Sequence, residues 1–363
     1  MKFGMNLIDR YIIRKFLGTF FYAVLMFGVI LPVIFDLTEK MDDIIEKDIP
    51  VAELLLDYYL NFVPYFANLF TPIFLFISVV FFTSRMANQT EIVAILSSGI
   101  SFRRLLRPFI ISATVVAIFS FVLGSFIIPP ANARRLAFEY KYMKFNWNRH
   151  FNNLHRQIVP GTFVYLESYT ESSGTGFRFT QEKFKGQKML YKISADYIRW
   201  DSTSGQWSLD NMVFRKFGAK GETIRRQAKL DTLMEFTPRD FALADDDVEM
   251  MNFFELNEFI DKERLKGSEF IDYYVLEKHR RMANPISNII LTLIAVPLAG
   301  RKVRGGVGLH IGIGIGISFT YVLFMQISSV FATEGGMDAA LAAWIPNVIY
   351  LVLALWLIRK APK

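Results

Sequence analysis

Catalysis by a thiolate, a bound metal or an activated serine leaves residue patterns that this 363-residue sequence lacks. It contains no cysteine, and no G-x-x-x-x-G-K-[ST], H-E-x-x-H or G-x-S-x-G run occurs. A P-loop in this chain is thereby excluded, because phosphates need the glycine-rich cradle and its lysine. Of the four histidines, His150 and His155 are close enough in sequence to share a site, although a solvated pair explains them more simply. His279 stands alone, and His310 falls near the start of an apolar segment, where an interface position is expected rather than a proton relay. Asp245-Asp-Asp247 with Glu249 forms the one dense carboxylate cluster. It could hold a divalent cation or a nucleotide-sugar metal, but without the glycine and spacing of a calcium loop it reads as a solvated acidic linker. No catalytic residue, metal ligand or cofactor is therefore expected in the chain itself.

Two other patterns concern packing and coupling. Gly308, Gly312 and Gly316 recur every fourth residue, with Gly314 and Ser318 nearby. Such a row lies on one helix face and lets another backbone come close. It serves either the internal packing of this chain or a seam against a second transmembrane subunit. The stretch Ser84–Arg107 reads SRMANQTEIVAILSSGISFRRLLR. Polar Asn88-Gln-Thr-Glu91 has the character of a helix start. Ile92, Val93, Ile95 and Leu96 supply a short apolar helix, and Ser97-Ser98-Gly99 ends it. A helix of this kind between two membrane spans suits docking to a soluble motor, with Glu91 offering its charge to an arginine there. Rest on the membrane surface is the alternative, although surface helices favour Lys and Arg over an acidic start.

The elements that position these residues follow from where the apolar residues lie. Apolar types make up 52% and charged types 21%, too rich in core formers for a disordered chain. They concentrate in six runs: Phe16–Phe35, Tyr58–Thr83, Pro108–Ile128, Pro285–Gly300, Gly305–Thr333 and Ala339–Ile358. Each approaches the roughly 20 residues that cross a bilayer, the fourth only when Met282–Asn284 are added. The first run is too long for a signal core and lacks a small-x-small cleavage site before the acids that follow it. An α-helical polytopic membrane protein with spans in a three-plus-three arrangement is expected.

Orientation is read from Lys and Arg in the short loops. Lys2, Arg10, Arg14, Lys15, Arg85, Arg103, Arg104, Arg107, Arg301, Lys302, Arg304, Arg359, Lys360 and Lys363 all fall on one side of six spans. That side, with both termini, is expected to be cytoplasmic. The first outer loop instead holds Lys40 and Lys47 among eight acids. These basic residues are topology signals, so the net charge of +7 is no nucleic-acid footprint.

The divisions expected are an N-terminal membrane half (1–128, with the cytoplasmic loop 84–107), an outer domain (129–283) and a C-terminal membrane half (284–363). The middle segment carries 25 Lys/Arg and 22 Asp/Glu. Strands are expected at Thr162–Tyr169, Gly176–Gln181, Met189–Trp200, Gln206–Phe217 and Thr223–Phe236, separated by turn-formers. Strand, turn and strand at this spacing indicate an inserted all-β domain, a meander or jelly roll. Ala131–Asn148 is expected to continue the third span as helix. Asn252–Lys266 is expected to be an amphipathic helix with Phe253, Leu256, Phe259 and Ile260 on one face.

Three spans, a strand-rich insert and three more spans resemble the lipopolysaccharide-export permeases of the LptF/LptG family. Leu7-Ile-Asp9-Arg10-Tyr11 looks like the start of the LptG branch. Thr90–Gly99 is similar to the family's coupling helix, with Glu91 at the acidic position that meets the ATPase and Gly99 at its end. Trp344-Ile-Pro-Asn347 and the glycine-rich fifth span also fit. The resemblance covers essentially the whole chain.

What it implies is an inner-membrane half-transporter of a Gram-negative cell. It would pair with a paralogous LptF/LptG permease and sit on a dimer of LptB-like ATPases, which bind the ATP and Mg. Lipopolysaccharide taken from the outer leaflet would pass to periplasmic β-jelly-roll proteins, LptC-like and LptA-like, with the first and fifth spans of each permease facing the cavity. The family's relatives place several Lys/Arg at the outer end of the first span to hold lipid phosphates, where this chain is acidic. Lys40 and, above the third span, Arg134, Arg135 and Lys141 are the candidates that remain, with a solvated helical face as the alternative for the last three. Two other functions stay open on the residues alone: a membrane enzyme acting on lipid-linked sugars, with Asp245–Asp247 as its metal site, and a membrane-anchored periplasmic sensor.

Overall fold

A computed structural model describes residues 6–143, 150–170, 172–218, 221–238, 245–268, 270–303 and 305–361. Lys2, Arg304 and Lys363 lie outside the described residues, as do the end of the helix expected to reach Asn148 and the side chains of His150 and Asp245–Asp247. The chain forms two compact units. A helical unit comprises Met1–Met143, Met250–Phe253 and Asp272–Lys363; a sheet unit comprises Lys144–Glu249 and Phe254–Ile271.

Among the described residues, six helices are long and apolar enough to cross a membrane: Leu7–Glu39, Thr71–Asn88, Phe102–Tyr142, Ile271–Ala299, Gly306–Thr333 and Ala339–Lys360. The second span differs from expectation. Residues Val51–Leu69 and Thr71–Asn88 are helical, but the chain breaks at Phe70, whose φ of −93° and ψ of 2° leave the helical region. Pro72 explains the break, since its ring opposes helical continuation through the preceding turn. Thr71 Oγ1 donates to the Ala67 carbonyl at 2.8 Å, satisfying one acceptor freed there.

Thr71–Asn88 is the middle of the unit. The first and fifth spans both pack on it, the first span also meets Phe102–Val122, and the fifth meets Ala339–Lys360. The core they enclose includes Ile12, Phe16, Phe76, Val80, Phe109, Ile294 and Tyr350. Polar bonds join the last three spans. Asn347 donates to the Ala283 carbonyl at 2.9 Å and accepts from Tyr321 at 2.9 Å. Among apolar helices such bonds fix rotation and depth, which gives the Trp344–Asn347 stretch a structural task.

The sheet unit is one antiparallel sheet in sequential order: β1 (His150–Val159), β2 (Thr162–Thr170), β3 (Thr175–Lys185), β4 (Lys188–Asp201), β5 (Gln206–Gly218) and β6 (Gly221–Thr232). The order is that of a meander. Alternation decides its inner face: Val164, Leu166, Phe179, Ile198, Trp207 and Leu209 are buried together. Gly161 allows the β1–β2 turn, with φ +79° and no room for a Cβ against the Phe184 carbonyl. The sequence reading has five strands, and β1 is the one it lacks. β1 hides because a charged residue faces inward: Arg156, 6% exposed, bonds Ser268 at 2.9 Å and pairs with buried Glu263 at 3.5 Å. β6 ends at Thr232, short of Phe236, which still fills the core and accepts the Trp207 indole N–H at 2.9 Å. Glu263 sits on the helix Phe253–Lys266, whose Leu256 and Ile260 are buried as the amphipathic pattern requires.

Candidate functional site

The short loop helix runs from Glu91 to Ser97. Its start is unlike the side-chain cap expected at Asn88–Thr90. Thr90 takes a left-handed conformation, φ +60°, and its hydroxyl donates to the Gln89 carbonyl while its oxygen accepts no N–H of the helix. Gly99, φ +86°, turns the chain out after Ser98. Ile92 is 2% exposed and belongs to the core of the helical unit, near Gly300 and Phe102. Val93 is 57% exposed, Ala94 and Ser97 are exposed, and Ile95 and Leu96 lie half-buried along the core edge. One apolar side chain thus anchors the helix while its opposite face stays open.

Two polar contacts tie this loop to the start of the first span. The Tyr11 hydroxyl donates to Glu91, 3.1 Å from Oε2 and 3.4 Å from Oε1. Arg104 donates to both Asp9 oxygens, at 2.8 and 2.7 Å, and Asp9 is only 5% exposed. Asp9 also accepts the Asn6 backbone N–H at 3.2 Å, closing a capping box at the helix start. Ile8, Ile12, Ile95 and Leu105 line a small cavity between the same segments. Arg301 bonds the Lys360 carbonyl, and His310 bonds the Arg301 carbonyl at 3.0 Å. His310 is 4% exposed and braces the loop at the start of the fifth span. The basic segments therefore gather at one end of the unit.

At the other end the expected phosphate-binding residues are mostly engaged with acids. Lys40 pairs with Asp36 at 2.8 Å and also bonds Tyr58. Arg135 pairs with Glu139 at 3.0 Å and lies over the Tyr65 ring. Lys141 reaches Glu53 at 2.8 Å, where Tyr142 donates to the same oxygen. These two donors hold the Glu53 carboxyl below the usual glutamate range. Arg134 is exposed and makes no ion pair among the described residues. The site residues thus form two groups: Glu91, Ile92, Val93, Ile95, Leu96 and Gly99 at the basic end, and Lys40, Arg134, Arg135 and Lys141 at the acidic one.

The glycine row divides cleanly. A Cβ at Gly308, Gly312 or Gly316 would meet nothing within 4 Å, so that face is open in this chain. Gly314 points the other way, 3.4 Å from Phe76 and Val80. The sheet unit contributes a cavity of about 750 Å³ lined in part by Tyr191, Ile193, Leu209, Met212, Phe214 and Leu230. Sequence reading missed Asp9, Tyr11 and Arg104 as site residues. Their only signal was that two oppositely charged groups flank apolar helix ends, and this pairs nothing without the fold.

The family model for the lipopolysaccharide export system permease LptF/LptG matches residues 10–360, nearly the full length, and the chain belongs to that family. The model describes both permeases together and does not choose between the two branches. No curated protein matches the chain. The six spans and the family make it a multi-pass membrane permease, a transporter subunit of lipopolysaccharide export.

Proposed function

We propose that this chain is one half of the membrane channel of an exporter that lifts lipopolysaccharide from the outer leaflet of the inner membrane, driven by a separate ATPase. The observation that carries the reading is the helix Glu91–Ser97, held by Ile92 and open along Val93 and Ala94 at the basic end. An acidic first residue on an exposed helix, among loops otherwise rich in Lys and Arg, offers a charge-assisted bond to an arginine of a soluble partner. Both termini and this helix face the cytoplasm, and residues 129–283 face the periplasm, in accord with the loop charges.

The open glycine face of the fifth span supports pairing with a paralogous permease, and the least buried spans are the first and fifth. Lipid enters between them, with Arg134 as the phosphate contact on the acidic side. The cavity of the sheet unit, which sets Ile193, Leu209, Phe214 and Leu230 beside Arg225, Arg226 and Glu235, receives the acyl chains along its apolar residues and passes them to further periplasmic sheet proteins. Nucleotide and magnesium are held by the ATPase, and this chain adds no cofactor.

Purification through this chain tests the reading. A P-loop ATPase co-purifies from its native membrane, and Glu91→Lys, which sets like charges against the partner's arginine, removes it while leaving the permease in the membrane. Retention of the ATPase by Glu91→Lys rules out the docking role.

A further inference from the structure

The first span is largely exposed along its apolar stretch, with Phe21, Tyr22, Leu25 and Phe27 all open. Polar side chains attach it at both ends: Asp36 accepts from Tyr58 at 3.0 Å at the acidic end, and Asp9 and Tyr11 act at the basic one. Tyr11 holds the first residue of the Glu91–Ser97 helix, and Asp9 holds Arg104 at the start of the next span. The two contacts bracket the short helix on the same helical turn of the first span. Neither closes that helix's own backbone ladder, which runs from the Ala94 N–H to the Thr90 carbonyl and from the Ser98 N–H to the Ala94 carbonyl. They do something else: they join two elements that the chain separates by about 80 residues. A carboxylate has about four acceptor positions, so the Tyr11 hydroxyl fixes the Glu91 side chain and still leaves room for an incoming guanidinium.

We propose that Tyr11 is a positioning residue: with the Asp9–Arg104 pair it fastens the first span to the Glu91–Ser97 helix, so that a partner displacing the helix moves the span with it. The inference rests on the reading of that helix as the ATPase-docking element. It gives the least embedded span a charged anchor beside the docking loop, at the end opposite Asp36, which accepts from Tyr58 at 3.0 Å. A hydroxyl–carboxylate bond at this half-exposed site is weaker than a buried one, so its loss is expected to reduce coupling about three- to tenfold.

The test uses the whole complex purified through this chain, placed in proteoliposomes with lipopolysaccharide and ATP. In Tyr11→Phe the subunits co-purify in unchanged proportion and hydrolysis continues, but lipopolysaccharide moved per ATP hydrolysed falls about three- to tenfold. Arg104→Lys keeps the charge, loses the parallel pair of bonds and shifts the same ratio in the same direction. A purely structural defect would instead lower yield and hydrolysis together, leaving the ratio alone. Because the chain has no cysteine, spin labels can be placed through Arg14→Cys and Ser97→Cys alone. Their distance stays constant with and without nucleotide in the parent and becomes nucleotide-dependent once Tyr11→Phe is added. An unchanged transport ratio in Tyr11→Phe, or a parental distance that varies with nucleotide, overturns the proposal. Retention of the ATPase by Glu91→Lys is a distinct failure, which removes the docking reading and this inference with it.

Discussion

Leucine placed on opposite faces of the fifth span should separate internal packing from subunit pairing. Gly312 and Gly314 are two residues apart, roughly 200° around a helix of 3.6 residues per turn. A Cβ at Gly314 already stands 3.4 Å from Phe76 Cε1 and Val80 Cγ2, both fully buried, so the remaining atoms of a leucine enter occupied space. Forcing methylenes into a filled core costs about 1–3 kcal/mol, and Gly314→Leu should destabilise the chain by that amount. At Gly312 nothing lies within 4 Å, so Gly312→Leu should alter the stability of the isolated chain by less than about 0.5 kcal/mol. The order reverses for assembly. A leucine on the open row holds two backbones apart, whereas small residues four apart let them touch. Thermal unfolding of the detergent-purified chain reads the first effect, and co-purification of the second permease reads the other. Gly312→Leu/Gly316→Leu that pairs normally would show that the row faces only lipid. Gly314→Leu at parental stability would contradict the packing of the fifth span on Thr71–Asn88.

Two further outcomes follow from the acidic end. Arg134→Glu should weaken lipid-stimulated ATP hydrolysis in the reconstituted complex, and Arg134→Glu/Arg135→Glu should weaken it further while placing a like charge beside Glu139; unchanged stimulation in the double variant would remove both from the lipid site. Glu53 has its carboxyl lowered by Lys141 and Tyr142, so the stabilisation it gives is present above the unfolded glutamate range and is lost as pH falls through the lowered folded value. The thermal-midpoint difference between the parent and Glu53→Gln should therefore be steady at neutral pH and close only on acidification below about pH 4; a difference that grew with acid would reverse the sign of the argument.

Much of the fold was legible because membrane spans are written in long runs of one residue class. Phe16–Phe35 and Ala339–Ile358 contain no charge, and a bilayer admits only helices of that composition. What the runs did not show were their interruptions. Apolar content continues through Phe70, and of the two prolines in Tyr58–Thr83 it is Pro72 that marks the division, whereas Pro64 is carried inside a helix. Five strands were legible because β2 to β6 lie between turn-formers, four of them with apolar residues toward a shared face. β1 was not, since its buried Arg156 looks like a solvent residue until Glu263 and Ser268, more than 100 positions away, are brought to it.

The candidate site divides along the same line. Glu91 and Ile92 were legible because a short amphipathic helix needs only local sequence, with one acid at its start and one apolar face. The glycine row was legible as a close-packing face but not as an open one, because spacing gives the face and only neighbours say what fills it. Asp9, Tyr11 and Arg104 belong to the other kind of information. Each is unremarkable among its neighbours, and its meaning is a pairing across 80 or more positions. A transporter that takes its work from a soluble partner must carry a local displacement into a distant helix, and such a link has to be long-range in sequence. The residues that transmit force are therefore those a single sequence conceals best, whereas the surfaces that receive the partner and face the membrane are the ones it declares.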